Sequence, residues 1–376
     1  MRIRLTVAGL VAALVAGLGL PVVAGSGSPP SAGHGYVSAD AVRSGAPIHG
    51  MIVADANKPF DVGLPDLQHL ADDGVNQVTF YITWYFPSLS SASISRGPYT
   101  PTDQEVSTAI QLAHQAGLTV QIDPILWLSP ATPGRWHWRG LLNPSDQDAF
   151  WANYDALILR YADLAQREGV EMMAIGSELT ALERHTSRWT SLAASVRAAY
   201  SGRLTYMAIN RSIKQVHFWR SVDYIGISPY YYLSDHWVPS YAELRAAWGR
   251  YFPALHRLSQ RVHRPVLFNE IGYLSAEAAT ARPWESHTAR AASQTVQARA
   301  YAALLDAARD QAWLHGISFY VWSPLTTPTD KTFSPRDKRA ECELATRWAS
   351  ASAPRLPDGK PVGCLGAEAA NTSALP

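Results

Sequence analysis

Cysteine is almost missing from this 376-residue chain, which has only Cys342 and Cys364. A disulfide-framed small fold is therefore excluded, and stability must come from a hydrophobic core, for which 47% apolar side chains are sufficient. Lysine is scarce as well, at Lys58, Lys214, Lys331, Lys338 and Lys360, and neither charge sign dominates. The 32 basic and 31 acidic residues leave a formal net charge of +1. That balance lacks the electrostatic footprint of a nucleic-acid or anionic-membrane binder, so an uncharged partner is expected. H-E-x-x-H is absent and the histidines are scattered, which argues against a dedicated zinc site. "GSEL" is not a G-x-S-x-G elbow, which argues against a serine hydrolase of the α/β type. No cofactor and no metal are expected.

Long apolar runs are also lacking, except for Leu5 to Leu20 behind Arg2 and Arg4. Those 16 residues are short for a membrane span, and Val22 and Ala24 fit the small-residue pattern of signal peptidase. Residues 1–24 thus read as a signal peptide cleaved after Ala24, with an uncleaved anchor as the alternative, and the mature protein as secreted, with no membrane partner and as a monomer. Residues 25–46, rich in Gly, Ser, Pro and Ala, read as a linker. In an oxidising compartment Cys342 and Cys364 can pair, closing about twenty residues at a gain of about 3 kcal/mol. The bond would tether the tail, 351–376, to the last helix, and two free thiols are the alternative.

What is present, over 47–350, is alternation. Strand-like runs at Ile48–Ala54, Asn76–Phe86, Leu118–Leu128, Val170–Glu178, Arg203–Asn210, Val222–Tyr232, Pro265–Glu270 and Gly316–Pro324 are separated by helix-like segments. Among the helices, Thr102 and Glu105 predict a capping box with Gly117 as stop, a short helix is predicted near Val216–Trp219, and a single helix over Tyr241–Val262. Eight near-continuous apolar strands alternating with helices predict an α/β fold, a single-domain (β/α)8 TIM barrel. A doubly wound sheet is the alternative, but "MIVADANKP" carries no glycine-rich phosphate loop.

In such barrels chemistry sits at the carboxyl ends of the strands. The residues found there are Asp55, Trp84, Asp123 with Trp127, Ser177 and Glu178, Asn210, Tyr230, Glu270 and Trp322. Two glutamates facing one pocket suit glycoside hydrolysis, which needs a protonated acid at the leaving oxygen and a second carboxylate as nucleophile or base. Aromatic side chains suit the same substrate, because a sugar's apolar face stacks on indole and phenol rings. Singly, each has a plainer reading: Glu178 or Asn210 as a helix cap, Asp123 as a turn residue before Pro124, Trp322 as core. Trp136, Trp138 and Trp284, in the loops, are platforms for sugar or simple packing.

With strands four and seven located, "AIGSEL", "VDYIGISPYY", "FNEIGY", "YVWSP" and "TFSPRDKRA" resemble glycoside hydrolase family 113 over roughly 47–349. That family lies in the clan of retaining (β/α)8 glycosidases, and its characterised members include endo-β-1,4-mannanases. The resemblance implies Glu178 as acid/base and Glu270 as nucleophile, with carboxyl groups about 5 to 5.5 Å apart. It further implies that Tyr230 orients Glu270 and that Trp322 floors the sugar ring. Ser177 stands where most of the clan has Asn, and so alters the contact to the sugar 2-hydroxyl. The implied activity is a secreted endo-β-glycosidase on a neutral polysaccharide such as β-1,4-mannan. Xylan or a cell-envelope glycan, and a silent carbohydrate-binding barrel, are the alternatives.

Overall fold

The computed structural model describes residues 45–53, 62–130, 138–324, 327 and 329–366. The expected signal peptide, nearly all of the expected linker, Asp55, Trp136 and the end of the tail lie outside them.

Eight strands, β1 (Ile48–Val53), β2 (Gln77–Phe86), β3 (Thr119–Leu128), β4 (Met172–Ser177), β5 (Arg203–Ile209), β6 (Tyr224–Ser228), β7 (Val266–Ile271) and β8 (Leu314–Trp322), close in sequence order into one parallel barrel. The helices α1 (Leu64–Asp72), α2 (Asp103–Gln115), α3 (Gln147–Glu168), α4 (Thr186–Ala199), α5 (Tyr241–Trp248), α6 (Phe252–Val262), α7 (Gln294–Ala308) and α8 (Arg339–Trp348) form the outer layer. This is the (β/α)8 barrel that the alternation predicts. Thr102 caps α2 in a reciprocal box with Glu105, and Gly117 follows its end at φ 79°, a left-handed geometry that glycine adopts without steric cost.

Three expectations change. The single helix over Tyr241–Val262 is two, because Gly249 ends α5 and Pro253 starts α6 at a position where its missing N–H costs nothing. The short helix expected near Val216–Trp219 is a single 3-10 turn, Trp219–Ser221. Strand β6 stops at Ser228, before Pro229.

Outward-facing residues of the strands pack against the helices in one large apolar cluster. Inside the barrel, Ile48, Met172, Tyr224 and Leu267 fill the amino end, and Ile52, Tyr81, Ile125 and Met207 fill the carboxyl end. Between them the layers are tight and polar. A Cβ on Gly50 would lie 2.1 Å from Ser318 Oγ, and one on Gly226 would meet Thr205 and Asn269.

At three carboxyl ends the ladder slips. Ala174 pairs with Thr205 but Ser177 with Met207; Phe268 pairs with Ile317 but Ile271 with Phe319; Phe319 pairs with Met51 but Trp322 with Val53. In each, one strand advances three residues while its neighbour advances two, which is a β-bulge, and a bulge turns the following side chains to the other face. The bulged strands are β4, β7 and β8.

Cys342 and Cys364 are bonded, with Cα atoms 4.2 Å apart, joining α8 to the 3-10 turn Val362–Cys364. Among the described residues no helix is long and apolar enough to cross a membrane.

Candidate active site

Glu178 leaves β4 at φ 55°, its N–H donating to the Met207 carbonyl at 2.7 Å. Only 8% of it is exposed. Its Oε2 accepts from Trp138 Nε1 at 3.0 Å and pairs with Arg139 Nη2 at 3.0 Å, while Arg139 Nε donates to the Ser177 carbonyl at 3.2 Å. Burial opposes the charge on Arg139, but the fields of Glu178, Glu270, Tyr81 and Asp123 outweigh it, so the guanidinium is the shared counter-ion of the whole cluster.

Glu270 comes from β7, with Tyr81 of β2 donating to Oε2 and Tyr230, just past β6, donating to Oε1 at 2.9 Å. Burial first, then the negative charge of Glu178, pushes its carboxyl up to about 7, against the lowering effect of the two phenols and Arg139. The negative charge of Glu178 thus disfavours ionisation of Glu270. Burial and the charge of Glu270 hold Tyr81 and Tyr230 well above the usual phenol range, so both remain donors.

Behind Glu178, Ser177 donates to Asp123 Oδ2 at 2.5 Å. Burial pushes Asp123 up to about 6, although the Ser177 hydrogen bond and the charge of Arg139 oppose it. A further carboxylate, Glu183, accepts from Tyr206 and Ser212, each at 3.0 Å, and Tyr206 in turn accepts from the Leu179 N–H at 3.1 Å. The segment following Glu178 is therefore fixed from both sides.

The other sequence-predicted residues divide. Trp127, 39% exposed, lies with its ring 5.8 Å from the Arg139 guanidinium and borders the cluster. Asn210 donates to the Tyr230 carbonyl at 3.0 Å, bracing the residue that holds Glu270. Trp84 points the other way: its Nε1 donates to Tyr161 of α3 at 2.9 Å. Trp322, expected to floor the sugar, is 0% exposed, with its ring 5.2 Å from His69 of α1 and 5.8 Å from the Arg336 guanidinium. The bulge on β8 is the physical reason, because it moves Trp322 from the inward face of Ser318 and Tyr320 to the outward face of Phe319. Tyr320 takes the inward place, packed against the upper barrel layer and within the field of Glu270.

Sequence reasoning missed Tyr81, Arg139 and Tyr320, and treated Trp138 as an open case. Tyr81 shares the parity of Thr79 inside β2, so inward alternation was a usable signal. Nothing local marked Arg139, whose contacts with Glu178 and the Ser177 carbonyl join residues about forty apart in sequence. The described His, Cys, Asp and Glu side chains that approach one another as a metal-type triad lie elsewhere, on the helical layer.

The sequence model of Glycoside Hydrolase Family 113 matches residues 62–338. The structure is similar to that of the GH113 β-mannanase AaManA from Alicyclobacillus acidocaldarius in complex with ManMIm, at 26% identity and TM-score 0.70, covering 80% of this chain and 96% of that one. It is similar in fold to a GH113 β-1,4-mannanase at 20% identity and TM-score 0.71, covering 81% and 99%. Faecalibacterium prausnitzii β-glucuronidase shares the fold more distantly, at 15% identity and TM-score 0.54, covering 81% and 49%. A search of curated proteins found no match. The match over most of the chain, on a barrel whose fourth and seventh strands deliver the two glutamates, shows that this glycoside hydrolase belongs to family 113.

Proposed function

We propose that the protein is an exported retaining endo-β-glycosidase that cleaves β-1,4-linked mannan by double displacement. The observation that carries the reading is two acids at one barrel mouth, Glu178 after β4 held by Trp138 and Arg139, and Glu270 on β7 held by Tyr81 and Tyr230. Glu270, receiving two phenol hydrogen bonds, is the nucleophile: it attacks the anomeric carbon and forms the glycosyl-enzyme. Glu178 gives its proton to the leaving oxygen, then takes one from the water that hydrolyses the intermediate. Trp138 and Arg139 hold Glu178 in place through both steps.

Ser177 gives its own hydrogen to Asp123, so toward a sugar hydroxyl it can accept but not donate. Exposed Trp127 at the end of β3, with Tyr232, Trp237 and Trp284 on the loops that follow β6 and β7, offers rings for a neutral polysaccharide chain. Mannan as the polymer rests on the similarity to the β-mannanases, and export rests on residues 1–24.

The test is reducing-end release by the purified mature protein on mannan, glucomannan, xylan and cellulose, beside Glu178→Gln and Glu270→Gln. Release from mannan is expected to fall by about 10²- to 10⁴-fold or more in both folded variants. Release from another polymer only would replace the substrate. Activity retained in both variants would overturn the assignment of the carboxylates.

A further inference from the structure

On the outer layer, away from the two glutamates, α1 and α8 meet at three side chains that the hydrolytic site does not use. His69 and Asp73 lie on one face at the carboxyl end of α1, four residues apart, and Glu341 lies in the first turn of α8, 272 positions along the chain from His69. His69 Nε2 is 2.6 Å from Glu341 Oε1 and 3.7 Å from Asp73 Oδ2, and one ligand atom of each lies within 4.8 Å of the others.

Asp73 is the anomaly. It is 2% exposed, no N–H or O–H donor reaches either of its carboxylate oxygens, and its polar neighbour is the carboxyl of Glu341. It sits at the negative end of the α1 dipole, beside a second buried carboxylate, which is the place where an anion is least favoured. The tail closes over it so tightly that a Cβ on Gly363 would lie 2.1 Å from Asp73 Oδ1. The neighbouring fixed cation, Arg336, is turned to Asp66 at 3.5 Å and Asp337 at 3.7 Å. A buried, unpartnered carboxylate aimed at an imidazole and a second carboxylate calls for positive charge.

We propose that His69, Asp73 and Glu341 form a divalent-cation site of the Zn²⁺ or Mn²⁺ class that clamps α1 to α8. One imidazole and two carboxylates suit those ions. Ligands at about 2.1 Å in a tetrahedron stand about 3.4 Å apart, a spacing that side-chain shifts of roughly an ångström reach from the present distances. The other oxygen of Glu341 accepts from the Asp337 N–H at 2.6 Å, the kind of outer contact that fixes a ligating carboxylate. His69, partly exposed, leaves an entry path, and a water would complete the ligand set. Glu341 lies 272 positions from His69, and this is why a search for local zinc motifs finds nothing here.

The test strips the full purified chain with a chelator and titrates it with Zn²⁺ and with Mn²⁺ by calorimetry, following Tm in parallel. Saturable binding of one ion per chain is expected, with Tm rising by several degrees at about a 100-fold excess over Kd. In Asp73→Asn and in His69→Gln, affinity should fall at least about tenfold and the Tm rise should shrink accordingly. Because Asp73→Asn removes a buried charge, its stripped form should melt no lower than the parent, which separates lost binding from lost folding. Absence of saturable binding, or binding undiminished in both variants, would overturn the site. A stripped parent indifferent to either ion would mean that a proton shared by Asp73 and Glu341 does the neutralising instead, and would overturn it equally.

Discussion

Tyr81 and Tyr230 give the clearest prediction at the scale of single residues. Each donates to the anionic form of Glu270, so removing either hydroxyl in Tyr81→Phe or Tyr230→Phe raises a carboxyl already lifted to about 7. The nucleophile must be ionised, so the acid limb of kcat/KM should move to higher pH. A hydrogen bond to a charged group is worth about 1.5–3 kcal/mol, so the loss near pH 6 should be about ten- to a hundredfold and should shrink in alkali. A variant with an unmoved acid limb would refute the role given to that tyrosine. Both glutamates were legible in the sequence because strand ends can be counted. Tyr230 was also read at a strand end, with its role toward Glu270 implied by the family resemblance, whereas Arg139, outside every strand end, was not found.

At the scale of the element, the eight strands and their order could be read from apolar runs and turn residues. The faces that their last residues present could not. Alternation alone places Trp322 on the same face as Tyr320 and Ser318, and the slip against β1 reverses that. The two aromatics should therefore fail in different ways. Trp322→Ala, which empties a wholly buried position, should cost about 3–5 kcal/mol in urea unfolding. Tyr320→Ala should raise KM or lower kcat far more than it lowers stability. Equal stability losses in the two variants, with activity intact in Tyr320→Ala, would show that the faces have been assigned the wrong way round. The split of Tyr241–Val262 into α5 and α6 was legible in principle from Gly249 and Pro253, which the apolar period across the gap outweighed.

For the whole molecule, buried carboxylates set the response to pH. Asp123 at about 6, and Glu183 and Glu270 each at about 7, are all raised in the fold by burial above their values in an unfolded chain. The folded state then binds more protons, so the stability these groups contribute is lost as pH rises through 6 to 7. Below about 6.5 an opposing term enters, because burial holds His49 at about 4 and it gains its proton first in the unfolded chain. Tm should accordingly rise as pH is lowered from 8 and keep rising below about 6.5, where the single proton of His49 offsets only part of the three carboxyl protons, and a Tm that climbs steadily toward pH 8 would contradict the burial of these groups. Closure of the barrel gives the three slipped ladders a collective meaning. A ring of strands has no loose edge at which an odd residue can be discarded, so each extra residue in β4, β7 and β8 must be accommodated at the rim. The identity of the side chains that look into the mouth is therefore a matter of odd and even. A lineage could exchange its reactive groups by gaining or losing one residue in a strand, leaving every neighbouring letter of the sequence unchanged.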